Sequence, residues 1–241
     1  MSLPRAILFD LDDTIVSAYS RPELAWLAVS SELAASLAPL SPEEATKAVS
    51  DFAQEFWSDA DRHRENRQDL GAARRRIVAG ALARLAADGR QPLAADIAVR
   101  LADRFTAYRD EQMALFDGAH EVLDELKSRG VLLGLVTNGD AAGQRAKVER
   151  FNLAHRFDHI QIEGEHGFGK PEERAYRHAM ESLGVEPHET WMVGDHLEWE
   201  VAAPQRLGIF AIWHDPTGDG LPSGADVTPD RIIQRLAELL D

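Results

Sequence analysis

The chain has 241 residues, of which 44% are hydrophobic and 28% are charged, so it is long enough for one large domain or for a domain with a smaller insert. Its 41 acidic residues outnumber its 26 basic residues and give a net charge of -15, which disfavours binding to a nucleic-acid backbone or an anionic membrane surface. Cysteine is absent, and this excludes disulfides, thiolate metal sites and cysteine nucleophiles.

The N-terminal residues lead directly into a predicted strand and a polar turn by Asp10, without the pattern of a signal peptide. No later apolar run approaches the length that spans a membrane. We therefore expect a cytoplasmic protein.

The first predicted strand is the apolar run at residues 6–9, and it leads into the sequence DLDDT. Residues two apart in an extended chain point to the same side, so we expect Asp10 and Asp12 to face together while Asp13 turns away. Carboxylates this close repel one another unless a cation lies among them. The pair suits either nucleophilic and acid–base chemistry or capture of Mg²⁺. A simple turn is the alternative, because Asp is a common turn residue.

Residues 17–116 are predicted to be helical, with no convincing strand. Ser41 and Glu44 form a capping-box pattern, and apolar residues recur after it at helical spacing. A segment of roughly a hundred residues is too long for a loop, so we predict a separate helical domain that serves as a lid. Its aromatic residues are expected to pack within the insert; they include Trp26, Phe52, Phe56 and Trp57.

The insert also carries a basic stretch within an otherwise acidic protein. Arginines on a lid could bind a second anionic group of a substrate through paired hydrogen bonds, whereas a charge run on a helix is usually a solvated face. Both interpretations stay open. The basic residues are Arg62, His63, Arg64, Arg67, Arg74, Arg75 and Arg76.

Two later predicted strands are followed by residues suited to an anion. The run at 131–136 leads into Thr137 and Asn138, which offer a hydroxyl and an amide as hydrogen-bond donors. The run at 159–163 leads to Lys170, which lies just before a predicted helix start and is well placed for a phosphate. A turn and a solvated lysine are the alternatives.

The predicted strand at 190–193 runs into Asp195, and a further strand is predicted at 209–213. A last helix is predicted to begin at Thr228, because Pro229 follows it and apolar residues recur afterwards. Strands that alternate with helices predict an α/β fold with a doubly wound parallel sheet, in which ligands bind beyond the carboxyl ends of the strands. Polar residues after four such strands are therefore expected to form one site.

The order DLDDT, TNG, GKPEE and GDHLEWE resembles the four motifs of the haloacid dehalogenase (HAD) superfamily. The helical insert after the first motif is similar to the type 1 cap of that superfamily. The resemblance covers essentially the whole chain, with a Rossmannoid catalytic core at 1–16 and 117–241 and a helical cap at 17–116. The stretch from TNGDAAGQRAKVE to GDHLEWE is most similar to small phosphatases of the sialic acid 9-phosphate phosphatase and pyrimidine 5'-nucleotidase type.

The resemblance implies a phosphatase that hydrolyses a small soluble phosphate monoester through an aspartyl-phosphate intermediate. Asp10 would be the nucleophile, and Asp12 would be the general acid and base. The resemblance also implies that Mg²⁺ is the cofactor, bound by the Asp10 side chain, the Asp12 backbone carbonyl and the Asp195 side chain.

The remaining phosphoryl oxygens would be bound by Thr137, the Asn138 backbone amide and Lys170. One position departs from the family pattern. The family commonly has a second Asp five residues after the first in its last motif, whereas this chain has Glu200. Because the charge is retained on a longer side chain, we expect Glu200 to substitute, either through metal-bound water or by steadying the motif lysine.

Asp12 also separates branches of the superfamily. The 2-haloacid dehalogenases lack an acid at this position and use no Mg²⁺, so Asp12 together with Asp195 favours phosphate esters. A phosphomutase stays open, because it keeps both aspartates and the same cap type. A non-catalytic regulator that binds phosphoryl groups or metal is a third hypothesis, against which the intact Asp12 argues. The expected partner is a small-molecule phosphate ester rather than nucleic acid or a membrane.

Overall fold

The computed structural model describes residues 2–17 and 21–241. The chain divides into two compact units, a sheet unit formed by Met1–Ser17 with Ala114–Asp241 and a helical unit formed by Ala18–Met113. The predicted junctions between core and cap, at 16/17 and 116/117, lie within three residues of these bounds. That the helical unit acts as a cap stays a prediction.

The secondary structure of the described residues alternates between strands and helices in the sheet unit and is helical in the other unit. The strands are β1 (Ala6–Phe9), β2 (Val16–Ser17), β3 (Ala114–Leu115), β4 (Leu132–Thr137), β5 (His159–Ile162), β6 (Thr190–Gly194), β7 (Phe210–His214) and β8 (Arg231–Ile233).

The α-helices of the helical unit are α1 (Pro22–Glu32), α2 (Ala34–Leu37), α3 (Pro42–Ser58), α4 (Ala60–Asn66), α5 (Leu70–Ala87) and α6 (Ile97–Gln112). Those of the sheet unit are α7 (Ala119–Ser128), α8 (Ala141–Arg150), α9 (Glu163–His166), α10 (Glu173–Leu183) and α11 (Ala203–Arg206). The sheet unit also has 3₁₀ turns at Ala154–Arg156, Pro187–Glu189 and Leu236–Leu240, and a π-helix at Leu197–Ala202.

Six strands form one parallel sheet in the order β5-β4-β1-β6-β7-β8. The predicted doubly wound α/β sheet is therefore confirmed. β1 lies in its centre and is fully buried, because Phe9 pairs with Leu135 on one side and Val193 on the other. Since neighbouring parallel strands end at the same edge, the residues that follow β1, β4 and β6 come together there.

Helix α10 packs against the central strands of the sheet through buried apolar side chains. Tyr176 and Met180 lie four residues apart on α10, so both face the sheet and are buried against Leu8 and Met192. Gly134 permits close packing, because a Cβ at this position would lie 2.7 Å from Leu8 Cδ2. These contacts hold the central strands in a dry core.

The predicted C-terminal helix is wrong. Residues Arg231–Ile233 form β8 and pair with β7, and a 3₁₀ turn follows. Ile232 is exposed and Ile233 is buried, which is the alternation of an edge strand rather than the period of a helix. The Thr228–Pro229 pattern was therefore not a helix start, because the β-branched pair after it adds a strand to an open sheet edge.

A short antiparallel pair also lies where no strand was predicted. β2 and β3 pair through Val16 with Leu115 and Ser17 with Ala114. Strands of two residues are too short to show a periodic pattern in the sequence.

The helical unit has a hydrophobic core of its own. Trp26 stacks on Phe105 with ring centroids 3.6 Å apart, and Phe56 is also buried, so the predicted packing of these aromatic residues is confirmed. The predicted capping box begins α3, because Glu44 N donates to Ser41 Oγ and Ser41 N donates to the Glu44 carboxylate. No helix in the described ranges is long and apolar enough to cross a lipid bilayer.

The basic stretch of the helical unit does not form a uniform solvated face. Arg75 is exposed and makes a paired contact with Asp103, at 2.7 and 3.0 Å. Arg74 is buried and donates to Thr106 Oγ1 at 3.0 Å, while Arg67 is also buried. Each arginine has its own local environment, and substrate binding by any of them stays a prediction.

Candidate active site

Asp10 directly follows the central strand β1. Its backbone N–H donates to Val193 O at 3.0 Å, which continues the ladder to β6 and places the side chain at the carboxyl edge of the sheet. The side chain is almost fully buried, and its Oδ1 lies 2.5 Å from Lys170 Nζ. Thr14 Oγ1 lies 3.4 Å from the other carboxylate oxygen. The strand end therefore presents a buried carboxylate in contact with a buried ammonium.

Lys170 lies between two carboxylates. It is 1% exposed, and its Nζ lies 2.7 Å from Glu200 Oε1 in addition to its contact with Asp10. The other oxygen of Glu200 accepts a hydrogen bond from His196 N at 2.8 Å. Glu200 is therefore placed to steady the lysine, which is one of the two roles expected for it. The alternative interpretation of Lys170 as a solvated surface residue is wrong.

Two glycines make this arrangement possible. A Cβ at Gly194 would lie 2.0 Å from Glu200 Cγ, so only glycine leaves room for the glutamate beneath the strand end. A Cβ at Gly169 would lie 2.4 Å from Asn138 Oδ1. The close approach at both positions requires the missing side chain.

The Asn138 side chain binds the backbone of Lys170. Its Nδ2 donates to Lys170 O and its Oδ1 accepts from Lys170 N, both at 2.8 Å. This reciprocal pair fixes the loop that carries the lysine. Because the side chain is engaged, only the Asn138 backbone amide is left for the phosphate-binding role that the resemblance implies.

Asp12 contacts a different lysine. Lys147 Nζ lies 2.7 and 2.8 Å from its two carboxylate oxygens, and Gln144 Nε2 lies 3.0 Å from Oδ2. Gln144 Nε2 also lies 2.7 Å from the oxygen of the buried Thr137 hydroxyl. The structure thus brings Asp12 and Thr137 together through one amide.

Gln144 and Lys147 were not identified from the sequence. Both belong to α8, which follows the TNG motif, and they lie three residues apart on one face of that helix. A polar pair at this spacing, directly after a motif strand, is the signal that would have indicated them. In the sequence it is masked by the neighbouring charged residues of the same helix.

Asp13 belongs to the turn. Its φ of 58° is left-handed, its N–H donates to Val16 O at 2.6 Å, and its carbonyl oxygen lies 3.1 Å from His214 Nδ1. Asp tolerates this conformation better than most residues. The backbone geometry places Asp13 in the turn, and its charge helps to raise the pKa of Asp195 after burial, Glu200 and Asp10. That its side chain turns away from the other two carboxylates stays a prediction.

Charge repulsion and burial shape the titration of the site. Burial raises the pKa of Asp10 to about 7; Lys170 opposes this rise, whereas Glu200 and Asp12 add to it. The pKa of Asp195 is also raised well above its ordinary value, first by burial and then by the charges of Glu200 and Asp10. For Lys170, burial acts to lower the pKa, but the two neighbouring carboxylates outweigh it and raise the pKa.

The donor set fits a hard divalent cation. Asp10 and Asp195 supply carboxylate oxygens, which Mg²⁺ prefers. Burial is the main cause of the raised pKa of Asp195, and the charges of Glu200 and Asp10 raise it further, so a cation at these carboxylates would offset that negative charge. No described residue donates a hydrogen bond to the Asp195 carboxylate, while its carbonyl oxygen accepts from Trp213 Nε1 at 2.6 Å. Among the described residues, no three or more His, Cys, Asp or Glu side chains form a group that could hold a metal ion. The fit to Mg²⁺ therefore rests on the carboxylates of Asp10 and Asp195.

Comparison with known proteins agrees with this geometry. The family model of haloacid dehalogenase-like hydrolases matches residues 4–208, and the chain belongs to this family. A glyceraldehyde 3-phosphate phosphatase from Methanopyrus kandleri is 31% identical over 244 residues, covering 98% of this chain and 96% of the relative. A phosphoserine phosphatase from Thermus thermophilus is 37% identical over 140 residues, which is 58% of this chain but only 55% of that relative's length.

Two further comparisons bear on the predictions. The N-acylneuraminate-9-phosphatase of Rattus norvegicus is 33% identical over 132 residues, covering 54% of this chain and 52% of the relative. The magnesium-bound structure of the HAD-hydrolase YfnB from Bacillus subtilis has a TM-score of 0.72 at 22% identity, covering 99% of this chain and 97% of that chain. This structural likeness shows the shared fold. The predicted superfamily and the predicted enzyme class, a HAD-family phosphoric monoester hydrolase, are confirmed.

Proposed function

We propose that the protein is a Mg²⁺-dependent phosphatase that hydrolyses a small phosphate monoester through a phosphorylated Asp10. The observation that carries the proposal is the buried Asp10 carboxylate, held 2.5 Å from Lys170 at the carboxyl edge of the sheet, with Asp12 two residues away. A nucleophile and a candidate proton donor thus follow one strand, and a counter-charge from the loop after α9 lies against the nucleophile.

In the first half of the proposed reaction, an Asp10 oxygen bonds to phosphorus as the bond from phosphorus to the leaving oxygen breaks. Asp12 gives its proton to that leaving oxygen, which departs as an alcohol. In the second half, Asp12 takes a proton from water as the water oxygen bonds to phosphorus. The bond between Asp10 and phosphorus then breaks, and inorganic phosphate leaves.

The other residues of the site bind charge rather than exchange protons. The Thr137 hydroxyl, the Asn138 amide and the Lys170 ammonium would hold the phosphoryl oxygens, so that charge in the transition state is stabilised by fixed donors. Mg²⁺, which is bound in the structural neighbour YfnB, would be held here by the Asp10 and Asp195 carboxylates and the Asp12 carbonyl, and it would offset the negative charge of nucleophile and phosphate.

The relatives suggest the size of the substrate. They act on glyceraldehyde 3-phosphate, phosphoserine and N-acylneuraminate 9-phosphate by their names, and all of these are small phosphorylated metabolites. We extend this to the present chain as a short alkyl phosphate. With a net charge of -15, the protein must attract such an anion through local positive charge, which Lys170 and the metal would supply.

A phosphate-release screen of the full chain tests the proposal. The panel contains glyceraldehyde 3-phosphate, phosphoserine, sugar phosphates and nucleoside monophosphates, each with Mg²⁺ and with EDTA. We expect release from at least one short alkyl phosphate, and loss of release with EDTA. A requirement for a bisphosphate, with isomer formation in place of phosphate release, would identify a phosphomutase. No turnover of any compound would point to a non-catalytic regulator.

Two neighbouring substitutions sharpen the screen. Asp10→Asn removes the nucleophile while keeping its shape, and we expect turnover to become undetectable. Asp13→Asn is the matched control, because Asn also tolerates the left-handed turn, and we expect it to stay within about threefold of the wild type. Full turnover by Asp10→Asn would overturn the proposal.

A further inference from the structure

The helix that follows the TNG motif presents two side chains to Asp12 that the proposed reaction does not use. Lys147 Nζ lies within 2.8 Å of both carboxylate oxygens, and Gln144 Nε2 lies 3.0 Å from one of them. Both residues come from one face of α8, so a single rigid element approaches Asp12 with two donors. The contacts join Asp12 to residues more than 130 positions away in the chain.

Gln144 is the better buried of the two donors. It is 3% exposed, and its Nε2 lies within hydrogen-bond distance of Asp12 Oδ2, Thr137 Oγ1 and Asn138 O. The opposite orientation of the amide would place Oε1 against these acceptors, so the contacts determine which atom faces Asp12. The Oε1 atom is buried without a hydrogen-bond partner. The contacts of Nε2 with Asp12, Thr137 and Asn138 therefore hold the Gln144 side chain in this position, although its Oε1 has no partner.

The same amide joins the proton-transfer group to the phosphate-binding group. When Nε2 donates to the Thr137 oxygen, the hydroxyl keeps its own hydrogen, which in this structure is donated to Asn138 O at 3.4 Å and would turn to a phosphoryl oxygen when phosphate binds. Gln144 therefore sets the distance between Asp12 and the hydroxyl that would hold the phosphate. To transfer a proton, Asp12 must lie within hydrogen-bond distance of the leaving oxygen. The phosphate held by Thr137 carries that oxygen, so the distance between Asp12 and Thr137 determines whether Asp12 can reach it.

We propose that Lys147 and Gln144 are positioning residues that hold Asp12 at the orientation from which it donates and accepts the proton. This inference rests on the proposed phosphatase function. Lys147 exchanges no proton in the reaction. Its ammonium faces the carboxylate that Asp12 becomes once the leaving oxygen has taken its proton, and it keeps that carboxylate aimed at the water of the second half-reaction.

The first test removes the ammonium and retains the stem. Lys147→Met in the full chain is assayed with Mg²⁺ on glyceraldehyde 3-phosphate or phosphoserine, whichever the wild type hydrolyses faster. We expect kcat to fall about 10²-fold, with KM changed less than about threefold, because a displaced catalytic group costs rate rather than binding. Lys147→Arg, which restores a paired donor, should recover at least about a tenth of the wild-type rate.

The second test asks whether the effect acts through Asp12. Lys147→Met is assayed alone and in the Asp12→Asn background, each beside its own parent protein. The assay follows multiple turnovers of 4-nitrophenyl phosphate, whose leaving group departs without a proton. A positioning role predicts no further loss once Asp12 is Asn, whereas a purely structural role predicts the same fold-loss in either background. Gln144→Ala should show the same pattern with a smaller loss.

Arg145→Met is the control on the same helix. Arg145 pairs with Glu165 at 2.6 and 2.7 Å, away from Asp12, so this variant should stay within about twofold of the wild type. Thermal unfolding of every variant identifies any that fail to fold, and Lys147→Arg then carries the test. The inference alone is overturned if Lys147→Met behaves like Arg145→Met, or if its loss is equal in the Asp12→Asn background. A wild type that releases no phosphate overturns the proposed function as well.

Discussion

Among the described residues, the sheet unit buries charges of both signs, including the cations Lys170 and Arg156, whereas the only charged residues that the helical unit buries are arginines. In the sheet unit the buried carboxylates are Asp10, Glu163, Glu200 and Asp215. The described residues of the helical unit bury no carboxylate, and their buried charged groups are Arg67, Arg74 and Arg109. Exposed ion pairs such as Arg75 with Asp103 and Arg84 with Glu55 account for much of the remaining charge of that unit.

The comparison distinguishes the buried carboxylates, several of which belong to the candidate active site, from ion pairs that lie on the protein surface. Removing a carboxylate from water is unfavourable unless a partner compensates for it, and the sheet unit places Lys170 between two of its buried carboxylates. An exposed pair contributes little to stability. Substitutions in the first group should therefore have large effects on rate and folding, and substitutions in the second group small ones.

The largest effect is expected from Lys170→Met. Without the ammonium, Asp10 and Glu200 are left buried and uncompensated, which should lower the free energy of unfolding by about 3–5 kcal/mol and kcat by at least about 10³-fold. Urea unfolding and phosphate release measure the two effects. The double variant Lys170→Met with Glu200→Gln should regain part of the stability and none of the activity. Equal stability of the single and double variants would contradict the charge argument.

A smaller effect is expected from Gly194→Ala. Its new Cβ would lie 2.0 Å from Glu200 Cγ and displace the glutamate from Lys170, so we expect kcat to fall about 10-fold to 10²-fold. The matched control in the helical unit is Gly71→Ala, where the nearest atom to a new Cβ is 3.6 Å away. That variant should keep its activity and change stability by less than about 1 kcal/mol. Equal losses in the two variants would show that Glu200 is not critical.

A still smaller effect is expected from the exposed pair of the helical unit. Arg75→Ala and Asp103→Ala remove a paired contact whose side chains are about half exposed. We expect each to change the free energy of unfolding by less than about 1 kcal/mol, with a coupling energy between them of about 0.2–1 kcal/mol at low salt. Chemical denaturation of both single variants and the double variant gives the coupling. A coupling energy between Arg75 and Asp103 larger than the loss of unfolding free energy in Lys170→Met would contradict the expected difference between exposed and buried charges.

The smallest effect concerns pH. Burial lowers the pKa of His159, and the nearby His178 and His166 lower it further. The folded state therefore binds fewer protons than the unfolded state just below the ordinary histidine pKa of about 6.5. Stability contributed by neutral His159 is full above that pH and is lost as pH falls through the lowered pKa. Relative to His159→Gln, the wild type should lose more stability between pH 7 and pH 5, as measured by urea unfolding; parallel curves would contradict this.

The strands could be predicted from the sequence because each is a short apolar run that leads to a polar motif. Ala6–Phe9 was predicted with its observed bounds, and β4 to β7 to within one residue. The last segment was wrongly predicted as a helix because Ile232 and Ile233 fit either a helical or a strand period over so few residues. The open sheet edge at β7 favours the strand.

The site could be predicted only as far as motifs reach. Asp10 and Lys170 lie in short motifs at strand ends, and their contact follows from the parallel order of the strands. The contacts of Lys147 with Asp12 and of Glu200 with Lys170 depend on side-chain reach across elements. No local pattern records such distances, so these contacts required the structure.

Trapping the phosphorylated enzyme tests the central claim most directly. Wild-type protein is mixed with Mg²⁺ and glyceraldehyde 3-phosphate or phosphoserine, quenched during turnover and treated with borohydride, which reduces an acyl phosphate to an alcohol. Peptide mass spectrometry should then find homoserine in place of aspartate at position 10, and unmodified aspartate at positions 12 and 13. Phosphate release without a reduced Asp10, or with the reduced residue elsewhere in the chain, would contradict the assignment of Asp10 as the nucleophile.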